Sequence, residues 1–494
     1  MDRSLFEYLD NYLFNPSSIA VIGASNFPGK WGFGIINRVL ECKDNRKIYA
    51  INNMRPEVAG LKTYPSVMDV PEPVEFVVIA IPYTDVPKVM EDCVAKGIKA
   101  GLIVSSGLGE SGEEGVRVER ETLAIARRGG LRFIGPNCMG HCSTASNFST
   151  MGFIPIEVTK GHLGIVAQSG GFAGHILRCA LETGVGFSKV VSSGNEADLH
   201  LEDYIEYLAQ DPETHVIGVY IEGFREGRRF LKLARETTRK KPIVAVKVGR
   251  TEAGAKAARG HTGALSGSDL ISDVVLKQCG VIRADEIEEL FDISAALFRQ
   301  PLPKGRRIAI LTGGGGHGVV ATDACARLGL EVAALSKSTI RKLDKVLPPR
   351  WPHQNPVDTV AAGFVTYPCL WPLMEADNID AILAVGSIGM SGMWRMMRML
   401  PISMPSFLRD EAMKWMDFIE ADEMKNLDIA LEYMDRYQKP IIITSLMMSP
   451  ELREAPVNKM LAEKGLVMYP TPERSAKVLH HLCWYSEYLR QLES

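Results

Sequence analysis

The sequence predicts an α/β protein made of three doubly wound parallel-sheet units. Short apolar runs of strand length recur along the chain, most end in a glycine-rich or polar turn, and a helical pattern often follows at once. The chain has 494 residues, enough for about three domains at roughly 150 residues each. A proline-rich joint, Arg299-Gln300-Pro301-Leu302-Pro303-Lys304-Gly305, precedes the last of them. The expected regions are therefore 1–148, 149–300 and 301–494.

The first region opens with Ser18-Ile19-Ala20-Val21-Ile22, which runs into the turn Gly23-Ala24-Ser25. Lys30-Trp31-Gly32-Phe33-Gly34 leads into a helical pattern, and strands are expected at 47–51, 76–81, 100–104 and 131–134. The glycine turn is not a strict dinucleotide fingerprint, and Asn52-Asn53-Met54-Arg55 stands where an acidic residue would bind a ribose hydroxyl. Arg55 suits a ribose phosphate instead, which favours coenzyme A, with NADP as the alternative.

The second region carries strands at 162–167, 216–221 and 242–248. Gln168-Ser169-Gly170-Gly171 follows the first, ahead of a helix from Phe172. Backbone N–H groups and the dipole at such a helix start make an anion site. Glu222 follows the second strand, and the third leads to Ala258-Arg259-Gly260-His261-Thr262-Gly263-Ala264-Leu265. A histidine between glycines can stand in an open pocket, and neutral imidazole can take up a phosphoryl group and pass it on. In the third region, Arg307–Thr312 is a strand, Gly313-Gly314-Gly315-Gly316-His317 a turn, and a helix is expected from Val319 to Leu328. Asn355-Pro356-Val357-Asp358 reads as a turn, with strands at 381–385 and 440–444. The methionine-rich stretch 390–400 reads as a core helix, and His317 as a loop histidine.

Composition narrows the function. Lys and Arg number 56 against 59 Asp and Glu, with no basic run, so nucleic acid is not an expected partner. The N-terminus lacks the apolar core of a signal peptide, and the longest apolar runs are too short to span a membrane. The 9 scattered cysteines argue for a reducing cytoplasm rather than a disulfide framework. Cys138-Met139-Gly140-His141-Cys142 gathers soft donors, but no second cluster at zinc-like spacing follows, so no metal site is expected.

Taken together, these motifs resemble the nucleoside-diphosphate-forming acyl-CoA synthetases, relatives of succinyl-CoA synthetase. The resemblance rests on Phe14-Asn15-Pro16-Ser17-Ser18-Ile19-Ala20-Val21-Ile22-Gly23-Ala24-Ser25, Gly135-Pro136-Asn137-Cys138-Met139-Gly140, Gln168-Ser169-Gly170, Ser193-Gly194-Asn195, Tyr220-Ile221-Glu222-Gly223 and Gly260-His261-Thr262-Gly263. It implies a Rossmann-like CoA-binding domain followed by two flavodoxin-like succinyl-CoA-ligase domains. It also implies that His261 is the phosphohistidine, oriented by Glu222, with Gln168, Ser169, Gly170, Gly171 and Gly260 around the phosphate. Coenzyme A would meet Gly23, Ala24, Ser25, Lys30, Asn52, Arg55, Ile81, Pro82, Ser105, Ser106 and Asn137. Two positions depart from the family: Asn53-Met54-Arg55 stands where a proline-lysine is usual, and glycines run into His317 where proline is usual. The sequence shows no ATP-grasp domain. The resemblance therefore implies an alpha-type subunit acting on acyl-CoA and phosphate, with Mg²⁺ and ADP or ATP on an ATP-grasp beta-type partner in an alpha2beta2-like hetero-oligomer. Two rivals remain open at this point: a phosphate acyltransferase with no nucleotide step, and a non-catalytic CoA sensor.

Overall fold

Seven strands order the first sheet: β1 (Ser18–Ile22), β2 (Lys47–Ile51), β3 (Glu57–Val58), β4 (Leu61–Tyr64), β5 (Phe76–Ile79), β6 (Ala100–Ile103) and β7 (Arg132–Ile134). Their spatial order is β3-β4-β2-β1-β5-β6-β7. Every pair is parallel except β3 with β4. β5 reads Phe-Val-Val-Ile and is buried at every position, as expected of a strand covered on both faces. The computed structural model describes residues 3–42, 46–153, 158–254, 256, 268–360, 365–389, 391, 406–445 and 455–493. It comprises two bodies, Met1–Leu290 and Phe291–Ser494.

The turn after β1 explains its glycines. Gly23 has φ +85°, and a Cβ there would lie 2.3 Å from the Ala80 carbonyl oxygen. A Cβ on Gly32 would lie 1.9 Å from the Gly23 oxygen. The helix Trp31–Glu41 can start against the strand end only because both residues lack side chains.

The second sheet contains β8 (Gly140–Ser143), β9 (Phe148–Ser149), β10 (Lys160–Ala167), β11 (Phe187–Ser192), β12 (Val216–Ile221), β13 (Ile243–Lys247) and β14 (Ile282–Ala284). Its order is β14-β13-β12-β10-β11-β8-β9. β10 lies between β11 and β12, so the winding direction reverses beside it. The loop after β10 sits at that switch point, where open α/β sheets bind ligands. β8 runs antiparallel to β11, with Lys189 opposite Ser143 and Ser192 opposite Gly140. The second sheet thus takes up chain from Gly140 onward, ahead of the expected boundary at 148.

The two sheets of the first body are fastened together. Asn195 N donates to Pro136 O at 2.9 Å, Ala197 N to Gly135 O at 3.0 Å, and Leu199 N to Phe133 O at 3.4 Å. Gly194 has φ +62°, and a Cβ on it would lie 2.2 Å from Pro136 O, so only glycine allows this approach. One apolar core runs through both sheets and includes Ile19, Val21, Phe76, Val166, Val191 and Ile217.

The second body has a parallel sheet of β15 (Arg307–Thr312), β16 (Glu331–Val332), β17 (Val357–Asp358), β18 (Ala381–Val385), β19 (Ile441–Thr444) and β20 (Met468–Tyr469). The order is β16-β15-β18-β19-β20, with β17 also paired to β15. The α/β class expected from the sequence is present in both bodies. The helix after β15 spans Gly315–Arg327 and begins inside the glycine run, four residues before the expected Val319. The helices Ser406–Tyr437 and Pro472–Glu493 were not expected from the pattern. Asn355, read as a turn residue, also braces the sheet: Nδ2 donates to Ile308 O and Ala333 O, and Oδ1 accepts from Ile310 N. Of the methionine-rich stretch, 390 and 392–400 lie outside the described residues. Among the described residues, no helix is long and apolar enough to cross a membrane.

Candidate active site

Three strand ends of the second sheet converge through the side chain of Gln168. Its Oε1 accepts from Glu222 N at 2.6 Å and Gly223 N at 3.0 Å. Its Nε2 donates to Gly223 O and to Glu196 Oε2, both at 2.9 Å. An amide has two donor hydrogens and two acceptor lone pairs, and all four are used here. The sequence marks Gln168 as a phosphate ligand, but the structure makes its side chain a brace for the Glu222 turn. The cause is burial: Gln168 is 5% exposed, and an amide out of water must bond to protein.

Glu222 is itself buried at 6% exposure. Its carbonyl accepts from Lys247 Nζ at 3.0 Å, and the same ammonium donates to Val248 O at 2.5 Å. Burial pulls the Lys247 ammonium below its ordinary pKa, while Asp269 and Glu222 favour the charged form and Arg283 opposes it. Glu222 is thus held at its N–H by Gln168 and at its C=O by Lys247. Gly260 and His261 lie outside the described residues.

Ser169 is buried, and Gly170 begins a 3₁₀ turn that leads into the helix Ala173–Thr183. Gly170 and Gly171 line a cavity of about 230 Å³ with Gln168, Gly194 and Asn195 from the second sheet. The opposite wall comes from the first sheet and its exit: Trp31, Val104, Ser106, Asn137, Cys138 and Met139. Asn195 ties these walls together. Its Nδ2 donates to Glu110 Oε2 at 2.6 Å and Glu119 Oε2 at 3.2 Å, and its carbonyl accepts from Arg225 at 2.6 Å. Larger cavities lie elsewhere, one lined by Arg38, Cys42 and Cys142, another by Arg307, Asp380 and Lys439, and a third by Lys88, Glu91 and Arg117.

The residues expected to meet coenzyme A all lie in loops that follow the strands of the first sheet. Gly23, Ala24 and Ser25 follow β1, and Asn52 and Arg55 follow β2. Ile81 and Pro82 follow β5, Ser105 and Ser106 follow β6, and Asn137 follows β7. Several of them brace one another. Asn52 Nδ2 donates to Ala24 O at 2.8 Å while its Oδ1 accepts from Met54 N and Arg55 N. Ser105 Oγ donates to Ile81 O at 2.5 Å, and Asn137 N donates to Ser105 O at 3.1 Å. Asn52 therefore shapes the loop, and Lys30, Arg55 and Ser106 present exposed side chains at this edge.

The soft-donor segment is structural. His141 is fully buried, with Nε2 on Leu13 O at 2.9 Å and Nδ1 on Thr150 Oγ1 at 3.1 Å. Burial brings its pKa down to about 4. Cys138 Sγ donates to Ile103 O, and all 9 cysteines are buried thiols. His175, Cys179 and Glu288 have donor atoms within 4.8 Å of one another, but the Arg178 guanidinium already donates to Glu288 at 2.6 Å. In the second body His317 is exposed at the start of its helix.

Sequence reasoning missed Glu196 and Lys247. Glu196 shares a turn with the quoted Ser193-Gly194-Asn195, and Lys247 ends a fully buried strand. The second was the readable signal, since a lysine closing such a strand needs bonded partners.

A CoA-binding domain model matches residues 17–143, and a model of the succinyl-CoA ligase-like flavodoxin domain matches 160–297. The alpha subunit of acetate–CoA ligase (ADP-forming) II of Pyrococcus furiosus is 41% identical over 377 residues, 76% of this chain and 82% of that one. The alpha subunit of the form I enzyme from the same organism is 36% identical over 482 residues, 96% of this chain and 97% of that one. This chain belongs to the ADP-forming acyl-CoA synthetases. A solved synthetase of this family, the "dinucleotide forming" acetyl-coenzyme A synthetase 1 of Ca. Korarchaeum cryptofilum in complex with phosphate and ADP, matches with a TM-score of 0.82. It is 31% identical, covering 98% of this chain and 99% of that one. The first sheet is thus the CoA-binding domain of an ADP-forming synthetase, and the second its ligase-like flavodoxin domain.

Proposed function

We propose that this chain is the alpha-type subunit of a nucleoside-diphosphate-forming acyl-CoA synthetase, in which His261 carries the phosphoryl group and Glu222 orients it. In this reading, residues 1–148 hold coenzyme A, 149–300 hold the phosphohistidine loop, and 301–494 form a second flavodoxin-like ligase domain. One observation carries the proposal. A single cavity joins the CoA-binding loops to the Gly170-Gly171 turn, and the wall residue Gln168 grips the backbone of Glu222.

The chemistry follows in three reversible steps. A phosphate oxygen attacks the thioester carbonyl, the C–S bond breaks, and CoA leaves as the thiol after taking a proton. A ring nitrogen of His261 then attacks phosphorus, and the carboxylate departs. Last, the phosphoryl group passes to ADP or GDP. A carboxylate on the other ring nitrogen fixes the tautomer and steadies the imidazolium, the role given to Glu222. The N–H groups of Gly170 and Gly171 suit the phosphoryl oxygens, because fixed dipoles at a helix start need no rearrangement as charge develops. Mg²⁺ and the nucleotide belong on an ATP-grasp beta-type partner, where the ion would offset phosphate charge. The relatives named as alpha subunits support such a partner, and the buried thiols fit a reducing cytoplasm.

The test is incubation of the chain with acetyl-CoA and radiolabelled phosphate. An acid-labile label on His261, absent in His261→Ala, is expected, with ATP formed only after an ATP-grasp chain is added. CoA release without label would point to a phosphate acyltransferase. Neither release nor label would point to a sensor.

A further inference from the structure

Glu196 has no part in the steps above, yet it sits directly behind them. It is 2% exposed and has a left-handed φ of +55° on the turn after β11. Its Oε1 accepts from Ser193 Oγ at 2.7 Å, and its Oε2 accepts from Gln168 Nε2 at 2.9 Å. Three of the four Gln168 bonds go to Glu222 and Gly223. Those three join the side chain to the end of β12, the strand that already pairs with β10. The fourth bond, to Glu196, ties the side chain to a different segment. That segment is immobilised by Asn195 N on Pro136 O and Ala197 N on Gly135 O. The wrong amide orientation would set an NH₂ against two N–H donors and a C=O against Gly223 O and the Glu196 carboxylate.

We propose that Glu196 is a positioning residue for the phosphoryl-transfer step, anchoring the Gln168 amide so that Glu222 is held in register with the CoA-facing wall. The inference rests on the phosphoryl-transfer reading above. The anchor works in both charge states of Glu196. A proton on Oε1 is donated to Ser193 Oγ, whose own hydroxyl turns toward Ala167 O at 3.5 Å, while Oε2 still accepts from Gln168. Glu202 and Tyr204 also face this carboxyl, as does the Arg225 cation. An amide at 196 reproduces the protonated geometry, with its oxygen on Gln168 and its NH₂ on Ser193. A methyl group does not.

Two reactions of the full chain test this. Radiolabelled acetyl phosphate reads phosphoryl transfer to His261 as acid-labile label. Acetyl phosphate with CoA reads acetyl-CoA formation, which does not pass through the histidine. Glu196→Ala is expected to slow labelling roughly ten- to hundredfold, the scale of a misplaced catalytic group, while acetyl-CoA forms at the wild-type rate. Glu196→Gln is expected to restore labelling. Labelling of Glu196→Ala at the wild-type rate overturns the proposal. So does parallel loss of both reactions in that variant, or failure of Glu196→Gln to rescue. Absence of label on the wild-type chain sinks the phosphoryl-transfer reading and this inference with it, and acetyl-CoA formation alone would then mark an acyltransferase.

Discussion

Glu196→Gln changes a charge inside the first body while keeping the shape and hydrogen bonds of the side chain. Burial raises the Glu196 carboxyl from 4.5 to about 7, with Glu202 adding to the rise and the bonds from Ser193 and Gln168 opposing it. At 1.36 kcal/mol per pKa unit, a gap of this size is worth about 3 kcal/mol. The sign follows from proton binding. The folded chain holds this proton more tightly than the unfolded chain does. Its contribution to stability is complete below about pH 4.5 and lost as pH rises to about 7. Glutamine has no proton to lose. The stability difference between variant and wild type should therefore grow by about 3 kcal/mol in favour of the variant from pH 4.5 to pH 8. Urea unfolding across that range measures it, with hydrogen exchange of β10 and β12 to isolate the first body. A difference that stays flat with pH, or grows in favour of the wild type, refutes the buried-acid account.

Gln168→Leu strands the Glu222 and Gly223 N–H groups, Gly223 O and a Glu196 oxygen, each costing about 1–3 kcal/mol when buried and unpaired. A loss of more than about 3 kcal/mol in urea unfolding is expected, together with loss of His261 labelling. Lys247→Met leaves the carbonyls of Glu222 and Val248 without their donor, for an expected loss of about 1–3 kcal/mol and slower labelling at unchanged CoA affinity. Calorimetric CoA titration beside the label assay separates those two effects. Gly23→Ala places a Cβ 2.3 Å from Ala80 O at φ +85°. It should weaken CoA binding at least tenfold, about 1.4 kcal/mol, and equal titration curves would show that the turn tolerates the change.

Legibility from sequence followed the range of the interactions. The strands and the turns after β1, β10 and β12 were readable because each pairs an apolar run with local glycine or polar chemistry. Glu222 and the Gln168-Ser169-Gly170-Gly171 turn came with them. The use of Gln168 was not readable, because its four bonds go to two separate turns, one some thirty and the other some fifty-five residues further along the chain. Glu196 looks like any solvated glutamate until Phe133–Pro136 packs over its turn and removes the water. The start of the helix at Gly315 was missed because glycine has low helix propensity, yet it tolerates the tight exit from β15. Gly140–Ser143 falls inside the region expected as 1–148, since its pairing with β11 depends on chain that comes some fifty residues later.

That last pairing makes the boundary between the first two regions unsuitable for dissection. β8 and β9 leave the first sheet's chain and seal the flank of β11, and the matched models stop at 143 and resume at 160 on either side of the join. A fragment beginning at 160 would bare a row of unsatisfied amides and carbonyls along β11, an invitation to pair with neighbouring molecules. Any split of this chain intended to yield a well-behaved ligase piece has to begin before Gly140, and a CoA-binding piece trimmed there gives up the Asn137–Asn195 meeting point as well.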